Sequence, residues 1–158
     1  MARMLDDDEL GAYIALVAAG DLMRRSVAAQ LADYDLTSLQ FSILAELLAH
    51  PEGLRMHDLA ERMVISRSGL TYQVTQLEGQ GMVSRAASND DDRGVEVHLA
   101  GAGRSRVLEA FPGHVDLVRG VFLDVVEPEQ LAPLRATLEQ VVEKLRARPR
   151  AKRSVSSS

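Results

Sequence analysis

The 158-residue sequence contains no cysteine. That absence excludes a disulfide-stapled secreted mini-protein and every zinc-ribbon, iron–sulfur or thiol-switch site, since all of them need thiolates. No apolar run approaches the roughly 18 residues of a membrane span, because charged residues interrupt each stretch well before that length. Where a signal peptide would carry its apolar core, the chain reads Asp6-Asp7-Asp8-Glu9, so a cytoplasmic location without membrane contact is expected. Histidine is scarce. His50, His57, His98 and His114 never recur at the spacing of a helix-borne metal site, and neither metal nor cofactor is expected. There is also no nucleophile–base pair, no glycine-rich phosphate loop and no carboxylate cluster outside turns. The adjacent His57 and Asp58 point to different faces of a helix, so an enzyme is not expected.

What remains is an ordinary globular composition, 46% hydrophobic and 26% charged, with enough chain for one domain and its own core. The net charge of −5 is unevenly spread: residues 1–52 hold 9 acids and 3 bases, residues 53–106 hold 7 of each, and residues 107–158 hold 7 acids and 8 bases. Every base of the middle segment is arginine, and three of its acids are bunched at Asp90-Asp91-Asp92. A local basic face is therefore compatible with an acidic chain, and the overall charge decides nothing about nucleic acid.

Apolar spacing places the elements. Leu10, Tyr13, Ile14, Val17, Met23 and Leu31 predict a long helix from about Asp7 to Asp33. Thr37 and Gln40 form a capping box that starts a second helix, ended near Ala49 by His50-Pro51-Glu52-Gly53. Two short helices follow, around His57–Met63 and Arg67–Gln80, the second capped by Ser66 and closed by Gly81; together they read as a helix-turn-helix. Leu70, Val74 and Leu77 form the inward stripe of the second, and Thr71, Tyr72, Gln73 and Gln76 lie off it. The period then changes: Val95, Val97 and Leu99 alternate with polar residues, and Met82–Ala86 can pair with them across a turn-rich connection. The result is a winged helix. Beyond Gly101, Leu108, Phe111, Val115, Val118, Phe122 and Val125 form a heptad-like seam, interrupted by Pro112-Gly113, where a kink is expected. Leu131, Leu134, Leu138, Val141 and Leu145 repeat it in a last helix, Glu129 to about Arg146. Two such seams exceed what a winged helix needs and predict a homodimer built from the chain's two ends.

The fold expected is mainly α: a winged helix-turn-helix (37–100) with a two-stranded β wing, flanked by N- and C-terminal dimerisation helices (7–33 and 101–147). All of it forms one chain fold over 1–147, and 148–158 is a disordered tail.

The run Ile65 to Thr71, then Leu77-Glu78, Gly81-Met82-Val83 to Arg85, and Asp91-Asp92-Arg93-Gly94 to Leu99 resembles the MarR (multiple-antibiotic-resistance regulator) family over about residues 7–147. Glu109 to Val115 is similar to an actinobacterial-type branch of it, which implies a bacterial source. The resemblance implies a dimeric transcriptional regulator, most often a repressor, that binds double-stranded DNA and whose affinity small molecules often tune. The residues fit such a role. A recognition helix offers its N-terminal residues to base edges and its first-turn amides to phosphate. Ser66, Arg67, Ser68, Gly69, Thr71, Tyr72, Gln73 and Gln76 are suited to that surface. Tyr72 departs from the family, where arginine is frequent, and Arg55-Met56 stands where a Ser or Thr cap is common, leaving Arg55 to reach phosphate. Arg93 resembles the family's minor-groove wing arginine, with Asp91 orienting the wing. Family effectors, often phenolic or other small aromatic acids, bind between the dimer-forming helices and the winged helix. Here Leu16, Met23, Phe41, Leu44 and His114 are the candidate lining, with ordinary core packing as the competing role of the four apolar ones. Few cations lie nearby, which favours a neutral or weakly acidic aromatic. The acidic total charge supports a rival reading, a winged-helix protein-interaction module that does not bind DNA.

Overall fold

The computed structural model describes residues 4–87 and 94–148. Its first helix, α1 (Asp7–Ala32), begins on a reciprocal cap: Glu9 N–H donates to Asp6 Oδ1 at 2.9 Å and Asp6 N–H to Glu9 Oε2 at 3.0 Å. The acidic cluster at the start of the chain thus serves the helix amides. Only the end of α1 is inserted into the core, at Leu31. Leu10, Tyr13, Ile14 and Val17 are 44–60% exposed, so the apolar face of the first half is left open among the described residues.

Thr37 and Gln40 make the expected capping box for α2 (Ser38–Ala49), which sends Phe41, Ile43, Leu44 and Leu47 into the core. The turn before it is held by α5 (Gly101–Val118), whose Arg106 donates from Nη1 to the Tyr34 carbonyl at 2.6 Å. The chain then forms a strand that periodicity does not reveal, β1 (Leu54–Arg55), antiparallel to β3 (Val95–Leu99). β3 also pairs with β2 (Val83–Ala87) in the register Val83↔Leu99 to Ala87↔Val95. The sheet is therefore three-stranded, in the order β1-β3-β2: β2 and β3 form the expected two-stranded wing, and β1 adds a short third strand beside it. Two residues are too few to alternate, and the pairing depends on Gly53. At φ +87° its added Cβ would lie 2.5 Å from the His98 ring, so only glycine lets the turn close on β3.

Helices α3 (Met56–Arg62) and α4 (Arg67–Gly79) form the helix-turn-helix. Between them Ile65 N–H reaches the Ala60 carbonyl and Val64 N–H the Glu61 carbonyl, a Schellman ending whose left-handed position is held by Val64 at φ +56°. The same motif ends α4 through Gly81, at φ +70°. Leu59, Leu70, Val74, Leu77, Val97 and Val107 are fully buried between these elements.

α5 runs unbroken through Pro112. Proline removes one ladder bond, but α1 braces this stretch: Gln30 Nε2 donates to the Ala110 carbonyl at 3.3 Å, and Gly113 leaves room for that amide. The departure from α geometry falls later, in a π-helical turn at Arg119–Leu123.

The chain divides into two compact units, Met1–Leu117 and Val118–Ser158. The second consists, among its described residues, of the π-helical turn and α6 (Pro128–Arg146). Proline at its first position suits a helix start. None of its side chains is buried, and Leu131, Val142 and Leu145 are 39%, 43% and 60% exposed. Of the predicted tail, residues 149–158 lie outside the described residues. No helix among the described residues is long and apolar enough to cross a membrane.

Candidate nucleic-acid interface

α4 has two unlike faces. Leu70, Val74 and Leu77 are at 0% exposure, while Arg67, Ser68, Thr71, Tyr72 and Gln76 are exposed and Gln73 is half-buried. Tyr72 is 62% exposed. The start of the helix is well formed: Ser66 Oγ accepts from Gly69 N–H at 3.1 Å and lies 3.2 Å from Ser68 Oγ. A Cβ on Gly69 would sit 3.1 Å from that hydroxyl. Ser66 and Gly69, predicted as DNA-facing, therefore also have a local duty, to build the cap that leaves the remaining first-turn amides pointing outward. Thr71 Oγ1 donates back to the Arg67 carbonyl at 2.9 Å.

Beside this face lies a groove of about 1020 Å³ between α3, α4 and the wing strands, lined among others by Arg55, His57, Asp58, Arg67, Thr71 and Arg85. Three arginines, Arg55, Arg67 and Arg85, thus border one groove in a chain of net charge −5. Arg55 sits in β1, opposite Glu96 in the ladder. Arg67 Nη2 is 3.3 Å from His57 Nδ1. Arg85 is fixed by Glu78 of α4, with Nε 2.9 Å from Oε2 and its backbone N–H 3.1 Å from Oε1. The hydrogen bonds from Arg85 lower the Glu78 pKa below its ordinary value, and the pair ties the wing's first strand to the recognition helix. Sequence reasoning missed His57 and Arg85 as parts of this surface. Neither belongs to a motif of charge spacing; folding brings them there from separate elements. Arg93 and Asp91 lie outside the described residues.

The residues proposed for an effector are divided by the fold. Leu16 stands on the uncovered half of α1 at 46% exposure, and Met23 is half-buried. Phe41 and Leu44, 5% and 0% exposed, belong to the core. Phe41 and His114 are brought together, ring centroids 4.6 Å apart, and Phe111 lies 6.2 Å from Phe41 on its own helix. Burial lowers the His114 pKa, which keeps the ring neutral near pH 7. Its Nδ1 and Gln30 Oε1 are buried without a hydrogen-bond partner among the described residues. No group of three or more metal-ligating side chains occurs among those residues.

The MarR family model matches residues 34–94. The crystal structure of AbsC, a MarR family transcriptional regulator from Streptomyces coelicolor, superposes with a TM-score of 0.86 at 32% identity, covering 93% of this chain and 100% of that one. Sco3205, a MarR family transcriptional regulator from the same organism crystallised in complex with DNA, matches at 31% identity over 92% of each chain, again with a TM-score of 0.86. The HTH-type transcriptional regulator TtmR of Methylorubrum extorquens (strain PA1) is 30% identical over 112 residues, which is 70% of this chain and 57% of that protein. With the capped helix-turn-helix and its wing, these similarities establish that this chain belongs to the MarR family of transcriptional regulators.

Proposed function

We propose that the protein is a homodimeric, ligand-responsive transcriptional repressor that acts in the cytoplasm on a pseudo-palindromic operator. The observation that carries this reading is the division of α4: a fully buried stripe of Leu70, Val74 and Leu77 fixes the helix, and its opposite face offers Arg67, Ser68, Thr71, Tyr72, Gln73 and Gln76 beside a groove rich in arginine. In this reading α4 enters the major groove, where arginine pairs with guanine, glutamine with adenine, and Tyr72 packs against thymine methyls. Arg55 and Arg85 border phosphate, and Arg93 takes the minor groove with Asp91 orienting the wing. The DNA-bound relative Sco3205 supports the assignment.

Residues 7–33 and 101–147 supply the dimer interface. The bare stripes on α1 and α6 are more apolar surface than a monomer leaves to water, and a second copy of the chain covers them. Two recognition helices about 34–36 Å apart then meet successive major grooves. The effector is a neutral or weakly acidic aromatic that stacks near Phe41, Phe111 and His114. His114 Nδ1 and Gln30 Oε1 are buried without a partner among the described residues; the amide oxygen accepts and a neutral ring nitrogen donates or accepts according to its tautomer, which suits a hydroxyl-bearing ring.

The test is selection of duplexes from a random-sequence pool, then affinity against salt. A DNA-binding regulator enriches a pseudo-palindrome, and its affinity falls steeply with salt. Absence of salt-dependent retention by any duplex leaves the protein-interaction module as the function. Calorimetry with aromatic compounds, with and without the selected duplex, tests the effector: identical affinity in both states removes ligand control.

A further inference from the structure

The chain passes from α1 to α2 through an elbow at residues 33–37, shaped from both sides by local bonds. On the α1 side Asp35 N–H donates to the Ala32 carbonyl and Leu36 N–H to the Leu31 carbonyl, with Asp35 left-handed at φ +53°; this is a further Schellman ending. On the α2 side stands the Thr37–Gln40 capping box. The Tyr34 carbonyl between them is met by α5, whose Arg106 Nη1 donates to it at 2.6 Å. One turn back along α1, Gln30 Nε2 donates to the Ala110 carbonyl at 3.3 Å. The pairs 30–110 and 34–106 step four residues in opposite directions, so α5 grips the end of α1 at two points about one turn apart. The Asp35 carboxylate, 3.6 Å from Arg106 Nη1 and 91% exposed, is screened by water and adds little. Leu31, Leu36, Phe41, Val107 and Ala110 belong to one buried cluster, but apolar packing is non-directional. It holds the three helices together and sets their angle less sharply than a bond that needs donor and acceptor in line.

We propose that Arg106 is a positioning residue for operator binding: by holding the Tyr34 carbonyl to α5 it fixes the angle of the α1–α2 elbow, and with it the separation at which a dimer presents its two recognition helices. The inference rests on the homodimeric DNA-binding reading above. In that reading α1 and α5 belong to the interface and α2 opens the winged helix, so the elbow is the joint between the part shared by two chains and the part that reads DNA. A dimer has two such joints, and a change of angle at each adds across it. The tolerance is small, since one base pair moves a half-site by about 3.4 Å and turns it by about 35°. An elbow without its clamp has to be ordered when both half-sites are engaged, which weakens binding to the whole operator. Engaging a single half-site needs no particular angle. Arg106 touches no DNA in this account; it sets which spacing of half-sites is accepted.

The experiment compares the full chain as wild type, Arg106→Met and Arg106→Lys. Methionine keeps an unbranched apolar stem without a donor, and lysine restores a donor. Each is titrated against the duplex enriched from the random pool, the same duplex with one base pair inserted between its half-sites, and a duplex with one half-site. Arg106→Met is expected to bind the enriched duplex about tenfold more weakly than wild type, the scale of one hydrogen bond from a charged group, with unchanged affinity for the single half-site. The ratio of affinities for the enriched and lengthened duplexes should fall as well, and Arg106→Lys should recover most of both losses. A role confined to stability would instead lower all three affinities by one factor and leave that ratio as in wild type, which refutes the proposal. So does an Arg106→Met protein that matches wild type throughout, or an Arg106→Lys protein no better than Arg106→Met. If wild type itself accepts the lengthened duplex as well as the enriched one, the homodimer reading fails; if it binds none of the three, the DNA reading fails; the role of the elbow falls with either.

Discussion

Gly103→Ala tests the joint between α5 and the wing. A methyl on Gly103 would lie 2.1 Å from the Met82 carbonyl oxygen and 2.9 Å from its carbon, so the backbones must part by more than an ångström to reach ordinary contact. Met82 cannot retreat freely. Its carbonyl accepts from Ala100 N–H at 3.0 Å, and its own N–H donates to Leu77 at 2.9 Å. Overpacking of this kind costs about 1–3 kcal/mol, and weakening the Ala100 bond adds about 1 kcal/mol. Alanine returns up to about 1 kcal/mol through helix propensity. The net expectation is a loss of about 1–3 kcal/mol, or roughly 3–10 °C in Tm for a chain of this size. Gly79→Ala is the control: it too is helical, nothing lies within 4 Å of its added Cβ, and propensity alone should stabilise by up to about 1 kcal/mol. Urea unfolding followed by circular dichroism, at one protein concentration because the stability of the proposed dimer would depend on it, reads both. A Gly103→Ala protein as stable as wild type would refute the close approach of α5 to the root of β2.

Ser66→Ala should destabilise by about 1 kcal/mol through loss of the bond to Gly69 N–H, and an unchanged denaturation midpoint would remove the cap from the account. Glu78 has a lowered pKa, so its pairing with Arg85 contributes stability above the ordinary glutamate value of 4.5 that is lost as pH falls through the lower folded value. The Tm gap between wild type and Glu78→Gln should accordingly narrow in acid, and a gap constant down to pH 3 would contradict the pairing. Tyr72→Ala and Gln73→Ala should each shift the preferred duplex sequence, because base contacts specify and phosphate contacts position; a uniform loss across sequences counts against them as readers. Deleting Glu129–Ser158 should abolish the dimer in sedimentation, and a soluble truncated dimer would place the interface elsewhere.

Much of the fold was legible because its signals are local. Thr37 with Gln40 and Ser66 before Arg67 announce helix starts through hydrogen bonds that span three residues, and the stripe of Leu70, Val74 and Leu77 is a helical period. Asp6 with Glu9 is the same kind of signal, yet the acids were read only for their charge. β1 was not legible, since a two-residue strand exists only through its partner β3 and the turn at Gly53. Around Pro112 the helix is continuous, and the contact made there by Gln30, 80 residues away along the chain from Ala110, is one that no local rule reveals. The groove was hidden likewise. Arg55, His57 and Arg85 become neighbours of Arg67 only when β1, α3, α4 and β2 are assembled.

The two-faced build of α4 also bears on how readily such a regulator changes its target. Side chains that keep the helix in place, Leu70, Val74 and Leu77, are not those that face outward. Apart from Ser66, Ser68 and Gly69, which meet at the cap, and Arg67 and Thr71, which bond within the helix-turn-helix, the outward positions Tyr72 and Gln76 are exposed and take no part in the buried stripe. Mutation can rewrite them at little risk to folding, so the chain can acquire a new operator by drifting through variants that all remain folded. A library confined to those two positions is the short route to a regulator of altered address.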